Sequence, residues 1–258
     1  MELKKYIITA QTSLRGKING GIVYMLPQII FKVIYLVPLM FLWRVISSGS
    51  DADVGMSLTQ LLSYTYVNAL FADLLNVQSF MTAWDYDGKS EGIFTRPFSV
   101  YGYVISRTAG EWIPSLIMFS LPMVLIAPLF GISVIPATLW FFPSLLLCVS
   151  LGFAFEFLFF CVTLRLRNIS WLTMVFRQAL MAFFSGTAVP FKILPFGLDR
   201  WISYQPFASL GGAPLSLFTA AAHPSQILPV QIFWNITIWA AAVIWFKKSR
   251  ERMVSFGG

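Results

Sequence analysis

Apolar stretches long enough to cross a bilayer alternate with polar breaks along nearly the whole chain. They fall at about residues 22–46, 58–77, 112–130, 137–162, 171–189 and 227–246. Each holds close to the roughly 20 residues that a spanning helix needs. The pattern predicts an all-α integral membrane protein with six transmembrane helices. Ahead of the first span, Leu3, Ile7, Ala10, Leu14 and Ile18 recur at helical spacing, with Lys4, Lys5, Arg15 and Lys17 elsewhere around the helix. That predicts an amphipathic interfacial helix over 1–20, stopped by Gly20-Gly21. Between the last two spans, residues 190–226 are rich in Phe, Trp and Leu yet cut by Pro190, Pro195, Pro206 and Pro214. Too broken to span and too apolar for water, the segment predicts short re-entrant helices packed against protein. Pro114, Pro122 and Pro128 are expected to bend the third span.

Charge placement orients these elements. Lys and Arg crowd the amino terminus, the segment around Arg96, the turn Arg165-Leu166-Arg167 and the tail at 247–252. The intervening loops hold few: Arg44 in one, and Lys192 with Arg200 in another. Short basic loops stay in the cytoplasm. Both termini are therefore placed inside, together with segment 81–101, in a multi-pass protein of the bacterial cytoplasmic membrane. Of 258 residues 57% are hydrophobic and 11% charged, far from the roughly 25% charged of a soluble domain. Six spans leave no room for a separate soluble domain, so 1–258 is read as one transmembrane domain. The formal net charge of +7 sits beside the ends of apolar spans. There it sets topology and contacts membrane lipid rather than nucleic acid.

Four ionisable residues fall inside spans: Lys32, Asp73, Glu156 and Arg177. Each costs about 2.5–3.5 kcal/mol near a helix centre, so each needs a partner. Counted along antiparallel neighbours at about 1.5 Å per residue, Glu156 and Arg177 lie at matching depth, as do Lys32 and Asp73. Two intramembrane ion pairs are expected, with a third, Arg107–Glu111, at helical spacing where the third span starts. As a functional device these charges form a proton or ion relay. As a structural one they are clasps that fix helix pairing, or in the case of Lys32 a snorkelling side chain; opposite charges at matched depth favour the clasps.

Other chemistry is scarce. Gly88-Lys89-Ser90 matches only the end of a phosphate-binding loop, because Ala83 stands where that loop has its first glycine and no strand precedes it. His223 is the only histidine, so a histidine-based metal cluster is excluded and a Ser-His hydrolase disfavoured. No metal site is expected. Cys148 and Cys161 share the fourth span and form no disulfide framework.

Two stretches carry a family resemblance. Gly92-Ile93-Phe94-Thr95-Arg96-Pro97-Phe98-Ser99-Val100-Tyr101 leads from the charged cytoplasmic segment into the third span. Pro190-Phe191-Lys192-Ile193-Leu194-Pro195, continuing through Tyr204-Gln205-Pro206-Phe207-Ala208, forms the broken apolar segment before the last span. With the surface helix and the six spans, this order resembles the permease subunit of a type-2 ATP-binding-cassette (ABC) exporter over essentially the whole chain.

That resemblance implies a transport subunit rather than an enzyme, with no cofactor in this chain. ATP and Mg are bound by a separate ABC ATPase in two copies, and a second permease, identical or related, completes the path. It assigns coupling to the ATPase to Asp85, Asp87, Glu91, Phe94, Arg96, Pro97 and Phe98. A substrate path is implied along Tyr24, Tyr35, Tyr64, Tyr66, Asn68, Phe176 and Phe183. Such an aromatic, weakly charged lining suits an amphiphilic drug, antibiotic, peptide or lipid-like cargo, with polysaccharide or lipid export open within the same architecture. Two other classes stand beside it. One is an ion-coupled carrier built as an inverted repeat, against which the acids have basic partners and no helix break is expected at matching places in the two halves. The other is a non-transporting assembly protein.

Overall fold

The computed structural model describes residues 2–49, 55–79, 81, 99–166 and 170–256, and these are helical almost throughout. Helix α1 spans Glu2–Asn19 and α2 spans Ile22–Gly49. The second apolar stretch divides into α3 (Leu58–Leu70) and the single turn α4 (Ala72–Leu75). Then come α5 (Val100–Ser115), a π turn at Leu116–Ser120, α6 (Leu121–Ile126) and a 3₁₀ turn at Ala127–Phe130. Helix α7 (Phe141–Arg165) and α8 (Ser170–Phe184) precede the broken segment, which holds α9 (Leu198–Ile202) and α10 (Gly212–Phe218). The last helix, α11, is Pro224–Phe256.

Four helical stretches are long and apolar enough to cross a membrane: Met25–Ser48, Val100–Phe130, Phe141–Arg165 and Pro224–Ser249. That gives the chain the character of a membrane protein. The other two expected spans fall short of that length. Helix α3 has 13 residues and α8 has 15, which at 1.5 Å per residue is about 20 Å each against an apolar core of about 30 Å. The third span also begins earlier than its apolar content indicates, at Val100 rather than near Trp112. Polar residues there continue the helix because α1 packs along it. Of the prolines in this span, Pro114 falls within α5 immediately before the π turn, Pro122 opens α6 and Pro128 opens the 3₁₀ turn. Each local change of helix type follows from the missing proline N–H. Gly131, at φ 68°, ends the run in the left-handed conformation.

Helix α7 is the hub. Of its most apolar stretch 56% is buried in the protein, against 11% for α2. Its partners are α4, α8, α10 and α11. Against α11 it is joined by polar side chains. Ser144 Oγ donates to Gln231 Oε1 at 2.7 Å, Asn235 Nδ2 donates to the Leu147 carbonyl at 3.0 Å, and Trp239 Nε1 donates to Ser150 Oγ at 3.0 Å. Such bonds link helices where apolar surface alone gives no preference over lipid. Toward the basic end, Tyr101 and Phe157 meet at a tilt, Trp239 packs edge to face against Tyr101 and Phe246 against both, joining α5, α7 and α11.

Helix α1 lies along α5. A Cβ on Gly110 would stand 2.1 Å from the Ala10 carbonyl oxygen, so only glycine admits this crossing. Lys17 Nζ completes it by donating to the Glu111 carbonyl at 3.2 Å. Leu3, Ile7, Ile8 and Ile18 of α1 remain exposed. The helix thus keeps an apolar stripe that the protein does not cover, as an interfacial helix requires.

Candidate functional site

The second apolar stretch breaks where helical geometry would have carried it across. Phe71 leaves the helix, α4 adds one turn, and Asn76–Ser79 run on without helical bonding. Backbone N–H and C=O groups freed inside an apolar medium each cost several kcal/mol unless another group bonds them. Here neighbouring helices supply the partners. Ser120 Oγ donates to the Leu70 carbonyl at 2.7 Å. The Cys148 thiol points at the Leu74 and Leu75 carbonyls at 3.9 Å. Arg177 donates to the Val77 carbonyl, and the backbone N–H of Ser79 donates to Glu156 Oε2 at 2.7 Å.

Two ion pairs hold this break from opposite sides. On one side Lys32 Nζ of α2 lies 2.8 Å from Asp73 Oδ2 of α4. The same ammonium donates to Ser115 Oγ at 2.8 Å and stands 5.1 Å from the centre of the Phe119 ring. On the other side Arg177 Nη1 of α8 lies 2.7 Å from Glu156 Oε1 of α7, and both side chains are under 10% exposed. The hydroxyl of Ser79 donates to the second Glu156 oxygen. Val77 itself packs on Gly152 of α7, where a Cβ would fall 2.6 Å from Val77 Cγ2. The result is an unwound segment clasped by four helices. The third pair, Arg107 Nε to Glu111 Oε1 at 3.1 Å, lies within α5 at the α1 contact.

The aromatic positions assigned to a substrate path divide into two groups. Tyr64, Tyr66 and Asn68 are buried, and each is committed to a backbone carbonyl. The Tyr64 hydroxyl donates to Gly186 at 2.6 Å, that of Tyr66 to Met123 at 2.6 Å, and Asn68 Nδ2 to Thr187 at 3.1 Å. Tyr35, Phe176 and Phe183 are exposed on the outer faces of α2 and α8. The structure does not bring the two groups together into one lining. The side chain of Tyr24 lies outside the described residues, as do Asp85, Asp87, Glu91, Phe94, Arg96, Pro97 and Phe98.

Sequence reasoning missed Ser79, Ser115 and the seam built on Gln231 and Asn235. The last two were visible as amides four apart in an otherwise apolar helix; the serines carry no such signal. Among the described residues no group of acidic, histidine or cysteine side chains is placed to hold a metal. No protein-family model matches the chain, and no curated protein matches it significantly.

Proposed function

We propose that the chain is the membrane-spanning permease subunit of an ATP-driven exporter of the type-2 ABC kind. In this reading a separate ATPase, present in two copies, binds ATP and Mg. A second permease, identical or related, pairs with this one, and an amphiphilic substrate leaves the cytoplasm between them.

The observation that carries the proposal is the clasp on Asn76–Ser79. It sits immediately before segment 81–101, which holds Asp85, Asp87, Lys89, Glu91 and Arg96 and is the assigned ATPase contact. Glu156 and Arg177 tie the end of the broken helix to α7 and α8. A displacement of the segment would therefore pull directly on two further helices. The uncovered apolar faces of α2 (Phe31, Ile34, Phe41) and α8 (Phe176, Phe183) suit contact with lipid and a second permease. The test is a mild-detergent pull-down of the tagged full chain from its native cells, with ATP hydrolysis measured. Wild type is expected to bring down an ATPase, and Arg96→Glu to lose it. A pull-down that never contains an ATPase overturns the proposal.

One observation favours a second reading. The short, interrupted second stretch (α3 and α4) and the short α8 occupy corresponding places in the two halves, which is the arrangement of ion-coupled carriers. Against it, each of the acids Asp73 and Glu156 already has a cation at 2.8 Å or closer.

A further inference from the structure

His223, the only histidine of the chain, stands at the start of α11. The N–H groups of Gln226 and Ile227 donate to its carbonyl at 3.1 and 3.4 Å, the first bonds of the helix. Its ring completes the cap. The backbone N–H of Ser225 donates to His223 Nδ1 at 3.4 Å, and Ser225 Oγ lies 2.8 Å from the same nitrogen. To accept from that N–H the ring carries its hydrogen on Nε2 and leaves Nδ1 bare. Asn, Asp, Ser and Thr usually fill this position. Imidazole differs from them in taking up a proton between pH 8 and pH 5.

The turn so capped is held by little else. Residues 220–230 form one wall of a cavity of about 1250 Å³ whose other walls include the broken segment and α10. At one end of this wall Ala220 is held at φ 53°, a region that residues with a Cβ rarely enter and that gathers at switch segments. At the other end Pro229 lies inside α11 and has no N–H for the Ser225 carbonyl. Firm attachment begins just beyond, at Gln231, whose amide bonds the Ser144 hydroxyl and the Ser144 and Ser209 carbonyls. Ser225 and Gln226 are exposed.

The charged groups of the cavity wall are Lys192, Asp199 and Arg200, all from the broken segment; residues 138–140, α10 and the rest of the α11 wall bring none. Two cations against one acid, with the positive end of the α11 dipole, oppose a further positive charge at His223.

We infer that His223 is a proton-operated cap on this wall. With the ring neutral, Nδ1 accepts from Ser225 and keeps the first turn of α11 wound. A proton from solvent, to which the ring is exposed, takes up the Nδ1 lone pair and turns the acceptor into a donor. The Ser225 N–H then loses its partner, and a cation stands at a helix N-terminus. The turn frays between Ala220 and Pro229, and the cavity wall loosens. The device is independent of the energy source of transport and of a second permease, and it is measured on this chain alone.

The test is quenched-flow hydrogen exchange of the purified full chain in neutral maltoside detergent, at pH 8 and pH 5, with intrinsic rates divided out. Losing a cap of ordinary strength lowers the protection of its turn about fivefold. Wild-type protection over 224–230 is expected to fall by about that factor from pH 8 to pH 5, while protection over 231–246 stays unchanged. His223→Asn, which caps without titrating, is expected to keep one value at both pH values. His223→Ala is expected to show the low value at both. Wild-type protection that is equal at the two pH values, an equal fall in His223→Asn, or a fall that extends over 231–246 overturns the inference.

Discussion

The Glu156–Arg177 pair gives the most quantitative prediction. Both side chains are under 10% exposed and 2.7 Å apart, and Glu156 also accepts from the N–H and hydroxyl of Ser79. Removing one partner of a buried pair leaves an uncompensated charge, at a cost of about 3–5 kcal/mol. The lower end applies here, because Ser79 still bonds Glu156 when Arg177 is lost. Arg177→Gln and Glu156→Gln are each expected to destabilise by about 3 kcal/mol. In the double variant no buried charge remains. The residual loss is that of the bonds to Ser79 and to the Val77 carbonyl weakening from charged to neutral or going unmade, about 2 kcal/mol. Independent sites would instead sum to about 6 kcal/mol. Unfolding in mixed micelles of rising dodecyl sulfate fraction, followed by tryptophan fluorescence and helical circular dichroism, gives all three values. A double variant as unstable as the sum of the singles refutes the clasp.

Three further outcomes follow from the same contacts. Lys32→Met should cost no more than about 1 kcal/mol in the same unfolding assay, because Asp73 is one-third exposed and partly screened; a loss equal to that of Arg177→Gln would show the two pairs to be equivalent. Gly110→Leu places side-chain atoms where the Ala10 backbone stands, so hydrogen exchange over residues 2–19 should rise while that over 141–165 stays unchanged, and unchanged exchange in α1 would disprove the crossing. Gln231→Leu leaves the Ser209 carbonyl and the Ser144 hydroxyl without their partner and is expected to lower stability by about 2 kcal/mol, a loss that a neutral result in the unfolding assay would contradict.

Much of this was legible as pattern. Hydropathy located the four helices that are long and apolar enough to span, because lipid allows a spanning segment few alternatives to the helix; the stretches expected at 58–77 and 171–189 form shorter helices. Counting depth picked out Lys32–Asp73 and Glu156–Arg177 as partners, since a buried charge without one is too costly to keep. Less legible was where apolar sequence stops being helix. Neither Phe71 nor Asn76 is a proline or glycine; the chain breaks there because side chains from three other helical elements bond the freed backbone. That information lies in distant residues such as Ser120 and Arg177. The early start of the third long helix at Val100 escaped for the same reason, being fixed by packing on α1 rather than by its own apolarity. Tyr64 and Tyr66 read as lining residues because an aromatic with a hydroxyl suits a path, yet the same hydroxyl suits a buried carbonyl equally well.

The energy source separates an ATP-driven permease from an ion-coupled carrier. Everted membrane vesicles containing the chain, together with any ATPase that co-purifies with it, can be loaded with a panel of fluorescent amphiphiles, with ATP present or absent and with or without a protonophore. Uptake that requires ATP and survives the protonophore is the result expected of an ATP-driven permease. Uptake that proceeds without ATP and collapses with the protonophore would contradict it and make the broken helix and its ion pairs parts of an ion-coupled carrier.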